Sequence, residues 1–136
     1  PNIASDVKPL KKNPIFLFFQ DRFQRPNPFR PDIAIDISMI WDKKVYAMAA
    51  HESQFFEWLP WIGGYAEEVP ASAADRLTWL SKNRSRTITP EILKSLEKWY
   101  GDKAGQVKQA EVFEICEYGS QPNEETIRKI FPMLKK

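Results

Sequence analysis

Apolar and polar positions divide this chain into short runs separated by proline and glycine. Ile15–Phe19 (IFLFF) is an unbroken apolar run between Pro14 and Gln20-Asp21. A run of that length without alternation predicts a strand buried on both faces, of the kind found in parallel or mixed sheets covered by helices. Residues 20–32 carry Pro26, Pro28 and Pro31, which excludes a regular element and predicts a structured loop. Residues 33–38 (IAIDIS) alternate and predict a second strand, with Ser38 placed as the N-cap of the next element. From Met39 to Trp58, the positions Ile40, Trp41, Val45, Met48 and Phe55 recur at the helical period and predict the longest helix. Pro60 and Gly63-Gly64 stop it.

A second helix is predicted from Val69-Pro70, with Ser72 and Asp75 as a capping pair and Leu77, Trp79 and Leu80 as its stripe, ending near Lys82. Thr89-Pro90-Glu91 starts a third: a capping hydroxyl, proline in the first helical position and an acid in the first turn. Its apolar face is Ile92, Leu93, Leu96, Trp99 and Tyr100, and Gly101 is its stop, with a short turn over Gln106–Ala110. Residues 112–118 (VFEICEY) predict a strand with one buried face, and Asn123 caps a closing helix over Glu125–Phe131. The sum is an α/β unit of about three strands and four helices, with 1–13 as a leading loop. No repeat or linker divides it. A strand apolar on both faces with so few neighbours reads as part of a larger sheet.

Composition changes the picture in three places. Lys plus Arg is 20 against 18 Asp plus Glu, a net charge of +2, which disfavours a dedicated nucleic-acid binder. The basic residues are scattered, densest at Lys82–Arg86 and Lys135-Lys136. Interleaved Phe23, Phe29, Arg22, Arg25 and Arg30 are the one pattern suited to clamping a single strand, and the charge balance and prolines argue against it. His51 and Cys116 are the only histidine and cysteine, too few for a zinc site or a disulfide. No apolar run approaches a membrane span. The chain therefore reads as cytoplasmic, with a cleaved leader left open by the absence of an initiator Met.

Candidate chemistry concentrates in 36–54 (DISMIWDKKVYAMAAHESQ). On a continuous helix Ile40, Lys44, Ala47 and His51 share one side, bordering the apolar stripe, with Gln54 at its margin. A cation and an imidazole turned inward need partners, unless Lys44 snorkels to the surface and His51 is a core histidine. The pattern Asp36-Ile37-Ser38, Asp42-Lys43-Lys44, Ala47 and His51-Glu52-Ser53-Gln54 resembles the C-terminal signature of the LmbE / PIG-L family. Ala110-Glu111-Val112-Phe113 resembles the family's last strand, and Gly119 to Phe131-Pro132 its closing segment. The resemblance covers about 15–54 and 109–134, leaving 57–105 as a helical subfamily insertion.

The resemblance implies a Rossmann-like α/β enzyme, a zinc-dependent deacetylase of N-acetylglucosamine-type substrates. In that family zinc is held by a His-Pro-Asp-Asp motif and a later His-x-x-His segment, and an Asp of the first motif is the base. Neither motif exists here. The resemblance thus implies the C-terminal part of such a protein: no cofactor on this chain, zinc in the parent, and an N-terminal catalytic half as partner. His51, Ser53, Gln54 and Lys44 become candidates for supporting the active site, and no catalytic or metal residue is carried over. An uncovered sheet edge leaves a homo-oligomer open.

Two groups are candidates for the substrate rim. Gln20, Asp21 and Arg22 follow the first strand, where ligand crevices of open α/β sheets lie, or else form a plain surface connection. Trp58 and Trp61 stand in FFEWLPWIGGY (55–65), expected as core beneath the following helices. Exposed, the same segment would mark a protein partner or a platform for stacking sugar rings, and a non-catalytic interaction or carbohydrate-binding module is the alternative function. Cys116 reads as a small buried hydrophobe, and Glu111, Glu114 and Glu117 form no carboxylate pair.

Overall fold

The computed structural model describes residue 8 and residues 11–134; most of the expected leading loop, and Lys135-Lys136, lie outside the described residues. Three short strands, β1 (Leu17–Phe19), β2 (Ile33–Asp36) and β3 (Ala110–Ile115), form an antiparallel sheet in the order β1-β3-β2. Leu17 pairs with Ile115, Phe19 with Phe113, Ile33 with Phe113 and Asp36 with Ala110. Among the described residues five α-helices accompany it: α1 (Trp41–Ala49), α2 (Leu59–Gly63), α3 (Ala73–Arg84), α4 (Pro90–Tyr100) and α5 (Glu124–Ile130). The fold is mixed α/β.

Both faces of the sheet are covered, because alternate residues of β2 and β3 are apolar on each side. Ile33, Ile35, Phe113 and Ile115 meet Trp41, Ile127, Phe131 and Leu134 on one face. Ala34 and Val112 meet Ile92 and Leu96 of α4, and Ala104, on the other. Trp99 is the largest fully buried side chain. Arg128 lies over its ring at 5.2 Å, joining α5 to α4. A third cluster, Val45, Phe56 and Leu80, packs α1 against α3 and the segment before α2. Trp41 packs against both this cluster and the first, and its indole N–H donates to Ser81 Oγ at 2.9 Å.

Three helix starts lie where their capping residues predict. Ser72 Oγ accepts from Asp75 N–H at 3.1 Å, Thr89 Oγ1 from Ile92 N–H at 3.3 Å, and Asn123 Oδ1 from Thr126 N–H at 2.9 Å. Each satisfies a backbone donor that a helix N-terminus leaves free. Gly101 ends α4 at φ 58°, a conformation that favours glycine. β3 begins two residues earlier than its pattern suggests and stops at Ile115, with Cys116 buried beyond it.

Two expectations are corrected. The run Ile15–Phe19 is not a strand buried on both faces. Its ordered part is three residues at the sheet edge, antiparallel to β3, with Phe18 51 % and Phe19 70 % exposed. An apolar run specifies burial only when a neighbour is present, and among the described residues only β3 pairs with it. Nor is 39–58 one helix. Ser38–Ile40 is a 3-10 turn, α1 ends at Ala49, and after a break at Ala50-His51 a π-helical segment, Ser53–Trp58, runs into α2. Ser38 caps no helix through its side chain; its hydroxyl is used elsewhere.

Candidate functional site

Asp36, Ile37 and Ser38, at and just past the end of β2, form a knot. Asp36 Oδ1 accepts from Ser38 N–H at 2.8 Å and from Ser38 Oγ–H at 2.6 Å. Ser38 Oγ in turn accepts from Lys108 N–H at 2.9 Å and Gln109 N–H at 3.1 Å. Ile37 N–H donates to Gln109 C=O at 2.9 Å. A short polar side chain on an extended backbone reaches its own chain two residues on. Here it also fastens β2 to the segment leading into β3. Tyr100 Oη accepts from Asp36 N–H at 3.0 Å on the outer edge. Burial raises the Tyr100 hydroxyl above the ordinary phenol range; its backbone hydrogen bond to Asp36 opposes this and the Asp36 charge adds to it. An open cleft of about 570 Å³ lies beside this pair, with Lys103 and Gln106 on its wall.

On α1, Lys44 Nζ is ion-paired to Glu111 Oε1 of β3, both side chains about one-third exposed (35 % and 34 %), and it lies 5.9 Å from the centre of the Trp41 ring. Lys44 and Glu111 line a small cleft of about 80 Å³ together with Gln20, Arg86 and Phe19. Arg86 Nη1 donates to Gln20 Oε1 at 2.6 Å. Two cations face one carboxylate there, and most of the polar atoms are donors. The arrangement suits holding or orienting an oxygen-rich group. Glu111, its one carboxylate, is already paired to Lys44.

No family model matches this chain, and no curated protein or solved structure matches it.

The structure brings together two of the residues singled out from the sequence, Gln20 and Lys44, at that cleft. The others stand apart. Asp21 is exposed, its Oδ1 accepting from Phe23 N–H at 3.0 Å, and Arg22 is exposed beside it. His51, Ser53 and Gln54 are exposed at the break after α1. Lys44 and His51 do not share one inward side: Ile40 and Ala47, their companions on that face, are exposed, and α1 ends at Ala49, before His51. His51 contributes its backbone carbonyl, which accepts from Gln54 and Phe55 N–H, each at 3.0 Å.

The aromatic segment divides. Phe56 and Pro60, one turn apart, are buried, while Trp58 (49 %), Trp61 (72 %) and Ile62 (61 %) are exposed. Its helix has neighbours on one side only, so the expectation that the whole segment is core is corrected for these three.

Sequence reasoning missed Glu111 and Arg86 as members of the cleft. Glu111 lies 67 residues from Lys44, and Arg86 lies 66 from Gln20. No local pattern encodes such a meeting. The one available signal was Lys44 itself, a cation read as turned inward and so in need of a partner unless it snorkelled to the surface.

Among the described residues no three His, Cys, Asp or Glu side chains converge to hold a metal ion. The only histidine is exposed and the only cysteine is buried. The described residues do not fit a zinc site. Among them, no helix is long and apolar enough to cross a membrane.

Proposed function

We propose that this chain is the C-terminal part of an N-deacetylase of the LmbE / PIG-L type, with a Rossmann-like sheet in the parent protein and N-acetylglucosamine-type substrates. The observation that carries the reading is the interlocking of the two stretches that bear the resemblance. Asp36-Ile37-Ser38 is hydrogen-bonded to Gln109, and Lys44 is ion-paired to Glu111 in Ala110-Glu111-Val112-Phe113. These contacts span the intervening 57–105, so the signature acts as one structural unit. In this reading the chain is a buttress. The Gln20, Lys44 and Arg86 cleft presents donors to an oxygen-rich substrate, and exposed His51, Ser53 and Gln54 form a polar edge for an N-terminal catalytic half. Zinc and the base belong to that half.

The test expresses the gene's full reading frame with zinc and follows acetate release from N-acetylglucosamine-type substrates. Release that a chelator abolishes, and that falls at least about tenfold in H51A or Q54A, supports the reading. A protein that binds no zinc and releases no acetate refutes it.

The exposure of Trp58 and Trp61 favours a second reading, a non-catalytic carbohydrate-binding or protein-interaction module. Two indoles three residues apart on one helical side offer flat apolar planes to a sugar ring or a partner. Retention on an immobilised oligosaccharide that W58A and W61A both abolish, with no acetate release, would select it.

A further inference from the structure

The sheet ends differently on its two sides. The outer edge of β2 is closed: Trp99 Nε1 donates to Asp32 C=O at 3.0 Å, Tyr100 Oη accepts from Asp36 N–H at 3.0 Å, and Ala34 between them is 0 % exposed. Among the described residues nothing pairs with the outer edge of β1. Cys116 N–H donates to Phe16 C=O and Ser120 N–H to Pro14 C=O, each at 3.0 Å, so the even-numbered residues face β3. In an antiparallel ladder the alternate residues then point the other way. Ile15, Leu17 and Phe19 direct N–H and C=O outward. Pro14 lacks its donor on the β3 side, which leaves the donors of the open edge intact.

The side chains of that edge are apolar on both faces. Phe16 is 48 % exposed, Phe18 51 % and Phe19 70 %, and no charge interrupts 15–19. Edge strands are ordinarily blunted by a charge, a proline or a bulge, because free backbone groups template another strand. This one carries no such device between Ile15 and Phe19.

We propose that β1 is a dimer seam, where two copies of this chain join β1 to β1 antiparallel across a two-fold axis and make one six-stranded sheet. The edge requires an extended strand with apolar residues on both faces and its own unpaired backbone groups. The same segment of a second copy meets that requirement, and a two-fold axis lets two identical edges satisfy each other and closes the assembly at two. Charge sets the register. Lys11 and Lys12 precede the strand and Asp21 follows it, so antiparallel pairing brings opposite signs together. With Phe16 on the axis, Ile15 stands opposite Leu17 of the partner copy and Lys11 opposite its Asp21. The proposal does not rest on the deacetylase reading, and a parent sheet that continued through this same edge would exclude it.

Sedimentation equilibrium of the 136-residue chain at roughly 1 and 200 µM tests it, together with amide exchange at Ile15, Leu17 and Phe19. The expected result is a doubling of mass with concentration, and slower exchange at those three amides in the dimer. F19K and F18K alter exposed side chains, and each should weaken dimerisation at least about tenfold. Amide exchange of the unaltered chain decides the question even if a variant misfolds. A monomer at every concentration overturns the proposal. So does a dimer in which those amides exchange at the monomer's rate, an assembly that grows past two, or a dimer unchanged in well-folded F18K and F19K.

Discussion

Removal of one oxygen atom, in Tyr100→Phe, tests how the closed edge of the sheet is held. Phenylalanine fills the same space and leaves the ring packed against both core clusters. What disappears is the acceptor of the Asp36 N–H, a 3.0 Å bond in a partly buried position. A backbone donor left without its partner there costs about 1–2 kcal/mol, less than a fully buried one because water has some access. For a domain of this size that lowers Tm by roughly 3–8 °C. The pH dependence supplies an independent sign. Burial raises the folded-state Tyr100 hydroxyl above its unfolded value near 10. Below that value both states hold the proton, and the contribution is fully present. As pH rises through and beyond it the unfolded chain releases a proton that the folded chain retains, so stability falls until the folded hydroxyl also ionises. Y100F has no such group. Urea unfolding followed by tryptophan fluorescence should therefore show a constant gap between the two proteins from about pH 7 to 9, narrowing above about pH 10. Other tyrosines and the lysines cancel in the difference. Equal midpoints at pH 8, or a gap that stays constant to pH 11.5, would refute the reasoning.

The remaining predictions concern the site and the exposed aromatics. S38A leaves Lys108 and Gln109 N–H without their acceptor and frees Asp36, and should cost about 2 kcal/mol in urea unfolding, where a null effect would mean the knot is decorative. A double-mutant cycle of K44M and E111Q should give a coupling of about 0.5–1 kcal/mol, because both side chains are one-third exposed, and the coupling should shrink in high salt. W61A should change stability by no more than about 0.5 kcal/mol, whereas W99A should cost about 3–5 kcal/mol; comparable losses would contradict the assigned burial.

Helix caps were legible because they are local. Ser72, Thr89 and Asn123 each satisfy a donor three residues on, and the α4 stripe of Ile92, Leu96 and Trp99 is the buried one. The break at Ala50-His51 was not legible. Ala47, Ala49 and Ala50 favour helix, and the apolar period continues through the break to Phe55. Past the break, Phe56 packs with Val45 and Leu80 in one buried cluster, a contact between residues remote in sequence that no local pattern encodes. The candidate site was half legible: Lys44 and Gln20 stood out, while Glu111 and Arg86 could be joined to them only by the pairing of strands remote in sequence.

By itself the sequence determined that this is a mixed α/β chain and where four of its helices start or run. Those properties follow from periods of two and 3.6 and from single capping side chains, which act within a few residues. The tertiary structure decided the rest. It turned an apolar run from an expected buried strand into an open edge, since burial belongs to a neighbour and not to a sequence. It left His51 exposed past the end of α1, whose face toward Ile40 and Ala47 is exposed as well. It divided one aromatic segment into buried Phe56 and exposed Trp58 and Trp61. Whether an apolar residue is core or contact surface depends on what covers it, and coverage is a property of the whole fold.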